Sequence, residues 1–554
     1  MPQPLPARSE LLDRIAVIKV IAALFILNAL AGFNNVWPTP LIQPDSRLGP
    51  EFVWLWVLLL FIHLAFGRIG TRALAVLSGL YFLVVIGRYA DVTVPALFGR
   101  PLNLYWDGHQ IPKFLEVASQ ALAPWQLLGL AAAILALLWG LYRLIRLLIG
   151  VLARHAVPFA KHSPAAWTIT ALSVALVVAN LFQVQATWPY VSRPVIPVYW
   201  KQANLLHTVF SPDRLANVLP PSPPLDGNLA TLDGAEVKVL FLESYGVTTY
   251  LKPEISRVIN PARQKFQQAI DAAGQRVVSG LITAATFGGA SELSHLSFLS
   301  GVDLTNPLRH DLMLTTERDT MIDTFRRAGY RTIGLYPAMS WAWPEKKFYN
   351  FDHYHDAPSL NYQGPKFGLW WLPDQFVMAR IDELYPPSET SKPRFILYPT
   401  ITSHIPFRPT PPYQPDWSRV TTDNPYDEAQ TAAAMADKID WTDLLPGYIS
   451  TIEYTFKWLS GYMGLEQPRK SVLVLVGDHQ PASTVTGPNA SWDVPVHIVT
   501  DNPVVLRQLL DNGFKTGMTP DSKSLGGLDE LNQILLTAFS TMETTAAPVQ
   551  AKSN

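Results

Sequence analysis

Five apolar runs crowd into the first 190 residues and constrain this chain more than anything that follows. They lie roughly at 17–36, 52–67, 72–89, 125–149 and 166–186. Each is long enough, or nearly so, to cross a bilayer as a helix, which takes about 20 mainly apolar residues. The whole chain of 554 residues is 49% hydrophobic and 16% charged, and its mean hydropathy is +0.14. That apolar excess belongs to the first third, so the chain is expected to combine a multi-span helical membrane domain with a domain of another class.

Positive charge sets the expected orientation. Arg8 and Arg14 precede the first run, Arg68 and Arg72 separate the second from the third, and Arg146, Arg154 and Lys161 follow the fourth. The alternate loops are balanced, with Asp45, Arg47 and Glu51 in one and Arg88, Asp91, Arg100, Asp107, Lys113 and Glu116 in the other. An odd number of spans beginning inside leaves everything after Ala186 outside the cytoplasm. The first run lacks a small-residue cleavage site and reads as a retained anchor. The expected location is the cell (inner or plasma) membrane, multi-pass, with the later domain extracytoplasmic. Within the longer outer loop, residues 102–115 fit either an interfacial helix or a loop packed on the bundle.

The resulting layout is a transmembrane domain over 1–187, a proline-rich linker over 188–234, an outer domain over 235–541 and a disordered tail over 542–554. The linker carries Pro189, Pro194, Pro197, Pro212 and the run Pro220-Pro-Ser-Pro-Pro224, a semi-stiff composition. A helix is allowed within it from Val198 to Phe210. A net charge of −1 gives no surface for nucleic acid, and with no cysteine there is neither a disulfide nor a thiolate metal site.

The outer domain is read from its strand ends. Val472 to Val476 is an unbroken β-branched and leucine run that stops at Gly477, so Asp478 and His479 fall just past a strand buried on both faces. In open α/β sheets that edge is where ligands bind. A carboxylate and an imidazole side by side there suit one divalent cation, Zn²⁺ or Mn²⁺; the alternative is a helix-capping aspartate beside an exposed histidine. Val237 to Ser244 is a second such strand ending in Glu243, a position that is costly for a carboxylate unless it is paired or coordinated. Further strands at Thr332–Tyr336, Phe395–Pro399 and Val494–Val499 alternate with helical stretches, which indicates an α/β domain with a mainly parallel sheet. After Phe395–Pro399 comes His404, at the same edge.

The segment Thr286-Phe-Gly-Gly-Ala-Ser-Glu-Leu-Ser-His-Leu-Ser-Phe-Leu-Ser-Gly301 reads as a glycine turn entering a helix, with Ser291 at its start. Two readings stay open at this point. The hydroxyl either meets a phosphate at the positive end of the helix, or it is an ordinary cap with Glu292 in the first turn.

Together these residues resemble the alkaline phosphatase/sulfatase superfamily, above all its membrane-anchored members, the lipoteichoic acid synthase-like phosphoglycerol transferases and the phosphoethanolamine transferases. The resemblance runs from about Val237 to Ser540 and extends to the layout of spans, linker and exported domain. It rests on Phe241-Leu-Glu-Ser244, Gly477-Asp-His479, Ser403-His-Ile-Pro-Phe407, Phe348-Tyr-Asn-Phe-Asp352 and Phe367-Gly-Leu-Trp-Trp-Leu-Pro-Asp374. It implies that Glu243, Asp478 and His479 hold a divalent metal (Zn or Mn) with Ser291 as a fourth ligand, and that His404 contacts the substrate phosphate. Two departures stand out. The transferases usually place a threonine where this chain has Ser291. Where the phosphoglycerol transferases carry an arginine near Phe-Trp-Asn-Arg, this chain reads Trp341-Ala-Trp-Pro-Glu-Lys-Lys347, leaving Trp343 with Lys346 or Lys347 as the substrate contact, without arginine's bidentate fork. Ser291 is followed by Glu-Leu-Ser-His, unlike the Cys/Ser-x-Pro-x-Arg of the classical sulfatases.

The resemblance implies a two-step transfer of a phospho-head-group, phosphoglycerol or similar, from a membrane phospholipid to a glycan or glycolipid hydroxyl through a covalent intermediate on Ser291. A phosphoethanolamine transferase, a sulfatase- or phosphatase-type hydrolase and an inactive scaffold of the same fold are the alternatives.

Overall fold

The structure is a computed structural model that describes residues 8–98, 100–108, 110–111, 123–182, 189–211, 214, 217–339, 343, 346–466 and 468–541. The chain divides into two compact units, Met1–Arg214 and Leu215–Asn554.

In the first unit each expected apolar run contains a helix: Arg8–Gly32, Pro50–Phe66, Thr71–Phe98, Pro124–Val151 and Pro164–Leu181. Four of these stretches are long and apolar enough to cross a membrane: Ile15–Gly32, Thr71–Phe98, Pro124–Ala160 and Pro164–Leu181. Pro50–Phe66 is shorter, at 17 residues, which spans about 25 Å at 1.5 Å per residue. These helices bury a leucine- and alanine-rich seam (Ala23, Leu27, Leu59, Ile145, Ile149) and expose large apolar side chains such as Phe25, Leu128, Leu137 and Ile169. Outward-facing apolar side chains on helices of this length suit a lipid surround, where the backbone is satisfied within each helix.

Residues read from sequence as linker are shared between the units. Ile196–Val209 is a helix, and it belongs with the first unit. Buried Glu51 accepts from the amides of Val195 (2.6 Å) and Ile196 (3.2 Å), at the end where the helix dipole favours a carboxylate. Tyr199 donates to the Leu83 carbonyl at 2.5 Å. Buried Arg88 donates to the carbonyls of Phe33 and Arg193 at 2.8 and 3.2 Å. In the loop expected to carry an interfacial helix, residues 104–108 are helical and Gln202 bridges Leu102 and Leu104; most of 109–122 and the tail from 542 lie outside the described residues. The later linker residues Leu225, Leu229 and Leu232 pack into the core of the second unit.

The second unit is built on a nine-stranded mixed sheet. We number its strands β1 (Glu236–Leu242), β2 (Arg276–Thr283), β3 (Arg331–Tyr336), β4 (His353–Asp356), β5 (Arg394–Pro399), β6 (Ser471–Gly477), β7 (Asp493–Thr500), β8 (Lys515–Thr516) and β9 (Ser524–Gly527). Their order is β8-β2-β7-β6-β1-β5-β3-β4, with β9 added on β2. Pairing is parallel from β4 through β3, β5 and β1 to β6, and antiparallel at β6–β7, β7–β2 and β2–β8. Two successive antiparallel pairings restore direction, so β2 runs the same way as β6 and ends at the same edge.

Alternation along the central strands fills both faces. Val237, Val239 and Phe241 of β1 with Val472, Val474 and Val476 of β6 enter one core, while Leu240, Leu242, Leu473 and Leu475 enter the other. Each such side chain contributes about 2 kcal/mol on burial. Arg394 sits at the starting edge of the sheet. It donates to Glu236 through Nε at 2.6 Å, with Nη2 ion-paired to the same carboxylate at 2.5 Å, and to half-buried Asp382 through Nη1 at 2.9 Å. Polar clustering at that edge is structural, and the chemistry collects at the other.

Candidate metal centre and nucleophile

Glu243 follows directly on β1, and Asp478 directly on β6. Because Leu242 pairs with Gly477 in the parallel register, the two carboxylates emerge side by side. Glycine is required at 477, since a Cβ there would run into the carbonyl oxygen of Tyr245. Ser244 takes a left-handed backbone, φ 58°, and its amide donates to Asp478 Oδ1 at 2.8 Å. The amide of His479 donates to the same oxygen at 2.7 Å. Asp478 Oδ2 is left facing Nε2 of His479 at 3.6 Å, and Glu243 Oε1 faces the same nitrogen at 3.5 Å.

The His479 tautomer follows from its other ring nitrogen. Nδ1 lies 2.7 Å from the Gln480 carbonyl oxygen, which can only accept. Nδ1 therefore carries a hydrogen, and Nε2, the nitrogen that faces Ser291 and both carboxylates, is the one through which a histidine held this way ligates a metal. Glu243, Asp478 and His479 are buried and offer ligand atoms within 4.8 Å of one another. Burial first and the neighbouring Asp478 charge second raise the Glu243 carboxyl well above its ordinary range. Two buried carboxylates and an imidazole nitrogen form a site that a divalent cation would satisfy and that is electrostatically costly without one. The donor set fits the oxygen and nitrogen preferences of Zn²⁺ or Mn²⁺.

β2 brings the third component. After it, Gly288 (φ 66°), Gly289 (φ 140°) and Ala290 (φ 60°) turn the chain through left-handed conformations into the helix Ser291–Ser300. Ala290 occupies the cap position and makes no side-chain capping bond. Ser291 is the first helical residue and points its hydroxyl elsewhere, to His479 Nε2 at 3.0 Å and Glu243 Oε2 at 3.4 Å. The capping reading left open by the sequence is therefore set aside. One turn along, buried Ser294 donates to the Asp478 carbonyl at 2.6 Å and anchors this helix to the loop that carries Asp478 and His479.

β5 supplies the fourth wall. Its exit loop clamps the backbone of Glu243 from both sides. The Glu243 amide donates to Thr400 Oγ1 at 3.0 Å, and Ser403 Oγ donates to the Glu243 carbonyl at 2.6 Å. The loop is held in turn by fully buried Asp374, which accepts from Tyr398 Oη at 2.7 Å and from the amides of Ile401 (2.8 Å) and Thr402 (3.1 Å). His404 sits on this loop with Nδ1 2.6 Å from the Ile405 carbonyl. Burial lowers its pKa, outweighing the hydrogen bond to Ile405, which raises it. His404 is thus a neutral imidazole with an unprotonated Nε2.

Trp343, Lys346 and Lys347 are placed apart. Trp343 packs on Tyr336, Tyr349 and Tyr354, and the Lys346 ammonium lies 4.9 Å over the Tyr354 ring, next to edge strand β4. Among the described residues, no hydrogen bond or ion pair joins these three to Glu243, Ser291, Asp478 or His479. Conversely, Asp374, Thr400, Ser403, Ser244 and Ser294 act in the site without having been singled out by sequence. Asp374 ends the aromatic Phe367–Asp374 motif, which was the one available signal for it.

Residues 268–499 match the family model "Sulfatase". This range holds Ser291, His404, Asp478 and His479, with Glu243 lying before it. No curated protein matches the chain. Among solved structures, the lipoteichoic acid synthase LtaP from Listeria monocytogenes is 15% identical, with 59% of this chain and 79% of that chain covered and a TM-score of 0.35. The Streptococcus pyogenes phosphoglycerol transferase GacH in complex with sn-glycerol-1-phosphate is 15% identical, covering 57% and 77%, TM-score 0.35. The zinc complex of the C-terminal periplasmic domain of EptC from Escherichia coli is 13% identical, covering 51% and 77%, TM-score 0.31. At these identities and scores the likenesses assign neither a residue role nor a substrate to this chain. The second unit, with its mixed sheet and its chemistry gathered at one edge, carries over residues 268–499 a match to the sulfatase family.

Proposed function

We propose that the protein is a metal-dependent phosphotransferase that moves a phospho-head-group, phosphoglycerol or similar, from a membrane phospholipid to a glycan or glycolipid hydroxyl at the outer face of the cell membrane. The observation that carries this reading is the Ser291 hydroxyl, turned into the Glu243–Asp478–His479 cluster, 3.0 Å from His479 Nε2 and 3.4 Å from Glu243 Oε2. A serine serving as a helix cap has no reason to take that orientation.

Glu243, Asp478, His479 and the Ser291 oxygen would hold a divalent cation, which when bound supplies Lewis acidity and offsets charge on the phosphoryl oxygens. Ser291 Oγ is the attacking atom: the Ser291–phosphorus bond forms as the bond from phosphorus to the diacylglycerol oxygen breaks. The serine loses its proton and the departing oxygen gains one. The left-handed turn at 288–290 brings helix amides to the position where the phosphoryl group would sit. His404 steadies that group and exchanges protons with the departing or arriving oxygen through Nε2, the ring nitrogen its Ile405 contact leaves available. Apolar helices on the same chain keep the domain beside its lipid donor.

The test is mass spectrometry of the purified full-length protein after incubation with mixed phospholipids and Zn²⁺ or Mn²⁺, without acceptor. A phospho-head-group on the peptide containing Ser291 is expected. An adduct on Thr286 or Ser294, or none in a preparation that turns over, would overturn the assignment.

A further inference from the structure

Gln480 follows Asp478 and His479 on the loop after β6, and its side chain takes no part in the chemistry above. It is nonetheless wholly buried, at 0% exposure. A buried amide is costly unless both of its ends are paired, and here both are. Nε2 donates to the Asp493 carbonyl at 2.9 Å, and Oε1 accepts from the Thr248 amide at 3.3 Å. The side chain thus ties the start of β7 to the loop that leaves β1. Those two segments also join directly, the Val247 amide donating to the Asp493 carbonyl at 3.0 Å. Room for the amide is left at Gly246, where a Cβ would run into Gln480 Oε1.

What this anchoring fixes is the residue's own carbonyl. That oxygen accepts from two donors, His479 Nδ1 at 2.7 Å and the Gly288 amide at 3.2 Å. The first belongs to the ring whose Nε2 faces the Ser291 hydroxyl. The second opens the left-handed turn that delivers Ser291. Two residues earlier on the same loop, the Asp478 carbonyl accepts from Ser294 Oγ at 2.6 Å. The loop therefore grips the nucleophile segment on both sides of Ser291, at Gly288 before it and at Ser294 after it. Any residue at 480 would supply a carbonyl. Its direction is set by the buried amide.

We infer that Gln480 is a positioning residue: it sets the separation of Ser291 Oγ from His479 Nε2 by holding the one carbonyl that both segments share. Its effect on turnover rests on the transferase reading above, while its effect on metal binding does not. Misplacing a reacting group by about 1 Å costs about a hundredfold in rate. Disturbing the outer hydrogen bond of a metal-ligating histidine costs about ten- to a hundredfold in metal affinity or activity.

The experiment titrates Zn²⁺ into full-length protein in detergent and, on the same preparation, follows the Ser291 adduct formed from mixed phospholipids. Gln480→Met keeps the side-chain length and removes both hydrogen bonds. It should bind Zn²⁺ about tenfold more weakly. Its adduct should form at least about tenfold more slowly at saturating lipid, with the half-saturating lipid concentration unchanged, because the Gln480 side chain lies wholly within the protein. Should that variant fail to fold, Gln480→Asn carries the same expectations, since it keeps the amide but shortens its reach by one methylene. Asn502→Leu is the comparison for stability alone. Asn502 donates to the Thr231 carbonyl and accepts from the Val504 amide beyond the far end of β7. Its replacement should lower the melting temperature and move neither readout. Wild-type Zn²⁺ affinity and adduct rate in the folded Gln480 variant, or losses that Asn502→Leu shares, overturn the inference. An adduct in wild type with unchanged affinity and rate in the variant removes the positioning role alone. No adduct on Ser291 in wild type removes the transferase reading, and the Zn²⁺ affinities then decide the role of Gln480 by themselves.

Discussion

Ser291 Oγ lies 3.0 Å from Nε2 of His479, a residue 188 positions further along the chain. The contact exists because β2 and β6 run in the same direction with β7 between them, so a turn leaving one strand meets a turn leaving the other. It gives the serine a role that its position at a helix start does not, and this is open to measurement. Ser291→Ala should lower turnover by orders of magnitude, while Ser291→Thr, which restores a hydroxyl, should keep measurable activity. Stability should move by less than about 0.5 kcal/mol, because Ala290 holds the cap position; a true serine cap would cost about 1 kcal/mol. Unchanged turnover with lowered stability would reverse the assignment.

Glu243 makes the metal site testable without substrate. Its carboxyl is raised above the usual 4.5 by burial and by Asp478, so in metal-free protein the protonated form is the one the fold favours. The associated stability is present in full below the unfolded pKa and is lost as pH rises through the folded value. Metal-stripped protein should therefore melt at progressively lower temperature as pH rises above about 4.5. Glu243→Gln should flatten that slope. Adding Zn²⁺ or Mn²⁺ at neutral pH should raise the melting temperature, the added stability being about 2.7 kcal/mol at a hundredfold excess over Kd. Glu243→Ala, Asp478→Ala and His479→Ala should each abolish this rise and the activity together. A metal-independent melting curve would remove the site.

Strand ends were the legible part. Glu243, Asp478 and His479 could be placed because unbroken apolar runs such as Val472–Val476 have one sensible home, the middle of a sheet, and the residue after the run then has a fixed position. β2 went unread although Arg276-Val-Val-Ser-Gly-Leu-Ile-Thr283 is a strand of eight residues. Ser279 and Gly280 interrupt its apolar pattern, and both are explained only by tertiary contacts. Ser279 Oγ bonds His497 Nδ1 at 2.6 Å, and a side chain at Gly280 would collide with Leu525. Without β2 the sequence could place Ser291 at a helix start but not at the metal cluster. Asp374 and Ser403 stand in motifs that carry the resemblance, but their contacts, like those of Thr400, were hidden for another reason. They act through backbone amides and carbonyls of distant segments, which no local pattern encodes.

The starting edge of the sheet offers a control that separates stability from chemistry. Glu236→Ala would strand Arg394 and leave buried Lys238, 3.9 Å from the same carboxylate, without it. A cost of about 3–5 kcal/mol is expected, read by chemical denaturation. Replacing Glu236 and Arg394 together by leucine and methionine should cost much less than the sum of the single changes. In either variant the molecules that stay folded should retain wild-type kcat. A selective loss of kcat would tie this cluster to the site.

Asp374 reaches the site only through its loop, so its test must register position. It accepts three hydrogen bonds, two of them from backbone amides. The side-chain amide introduced by Asp374→Asn would turn an N–H toward at least one of these donors, leaving it unsatisfied at a cost of about 1–3 kcal/mol. Since the loop holds Glu243 from both sides and carries His404, Asp374→Asn should reduce both kcat and metal affinity. Ser388→Ala, on an exposed loop, should change neither. An Asp374→Asn variant that is less stable yet has normal kcat and metal affinity would show the aspartate to be a structural residue only.

Membrane topology turns on one helix. Among the described residues, the four helices of full spanning length would return the chain to its starting side, so an outer catalytic unit requires Pro50–Phe66 to cross as a fifth. Its 17 residues are at the short limit for a span, but Arg68 and Arg72 just beyond it favour a cytoplasmic turn. The chain has no cysteine, so single introduced thiols report without background. Gln43 and Gly70 flank the helix and are both exposed. In intact cells a membrane-impermeant maleimide should label Gln43→Cys, and it should label Gly70→Cys only after permeabilisation. A reporter fused after Ser540 should then be active only outside the cytoplasm. Labelling of both thiols from one side would show that Pro50–Phe66 does not cross, would place the catalytic unit with the N-terminus, and would remove the outer-leaflet donor from the mechanism.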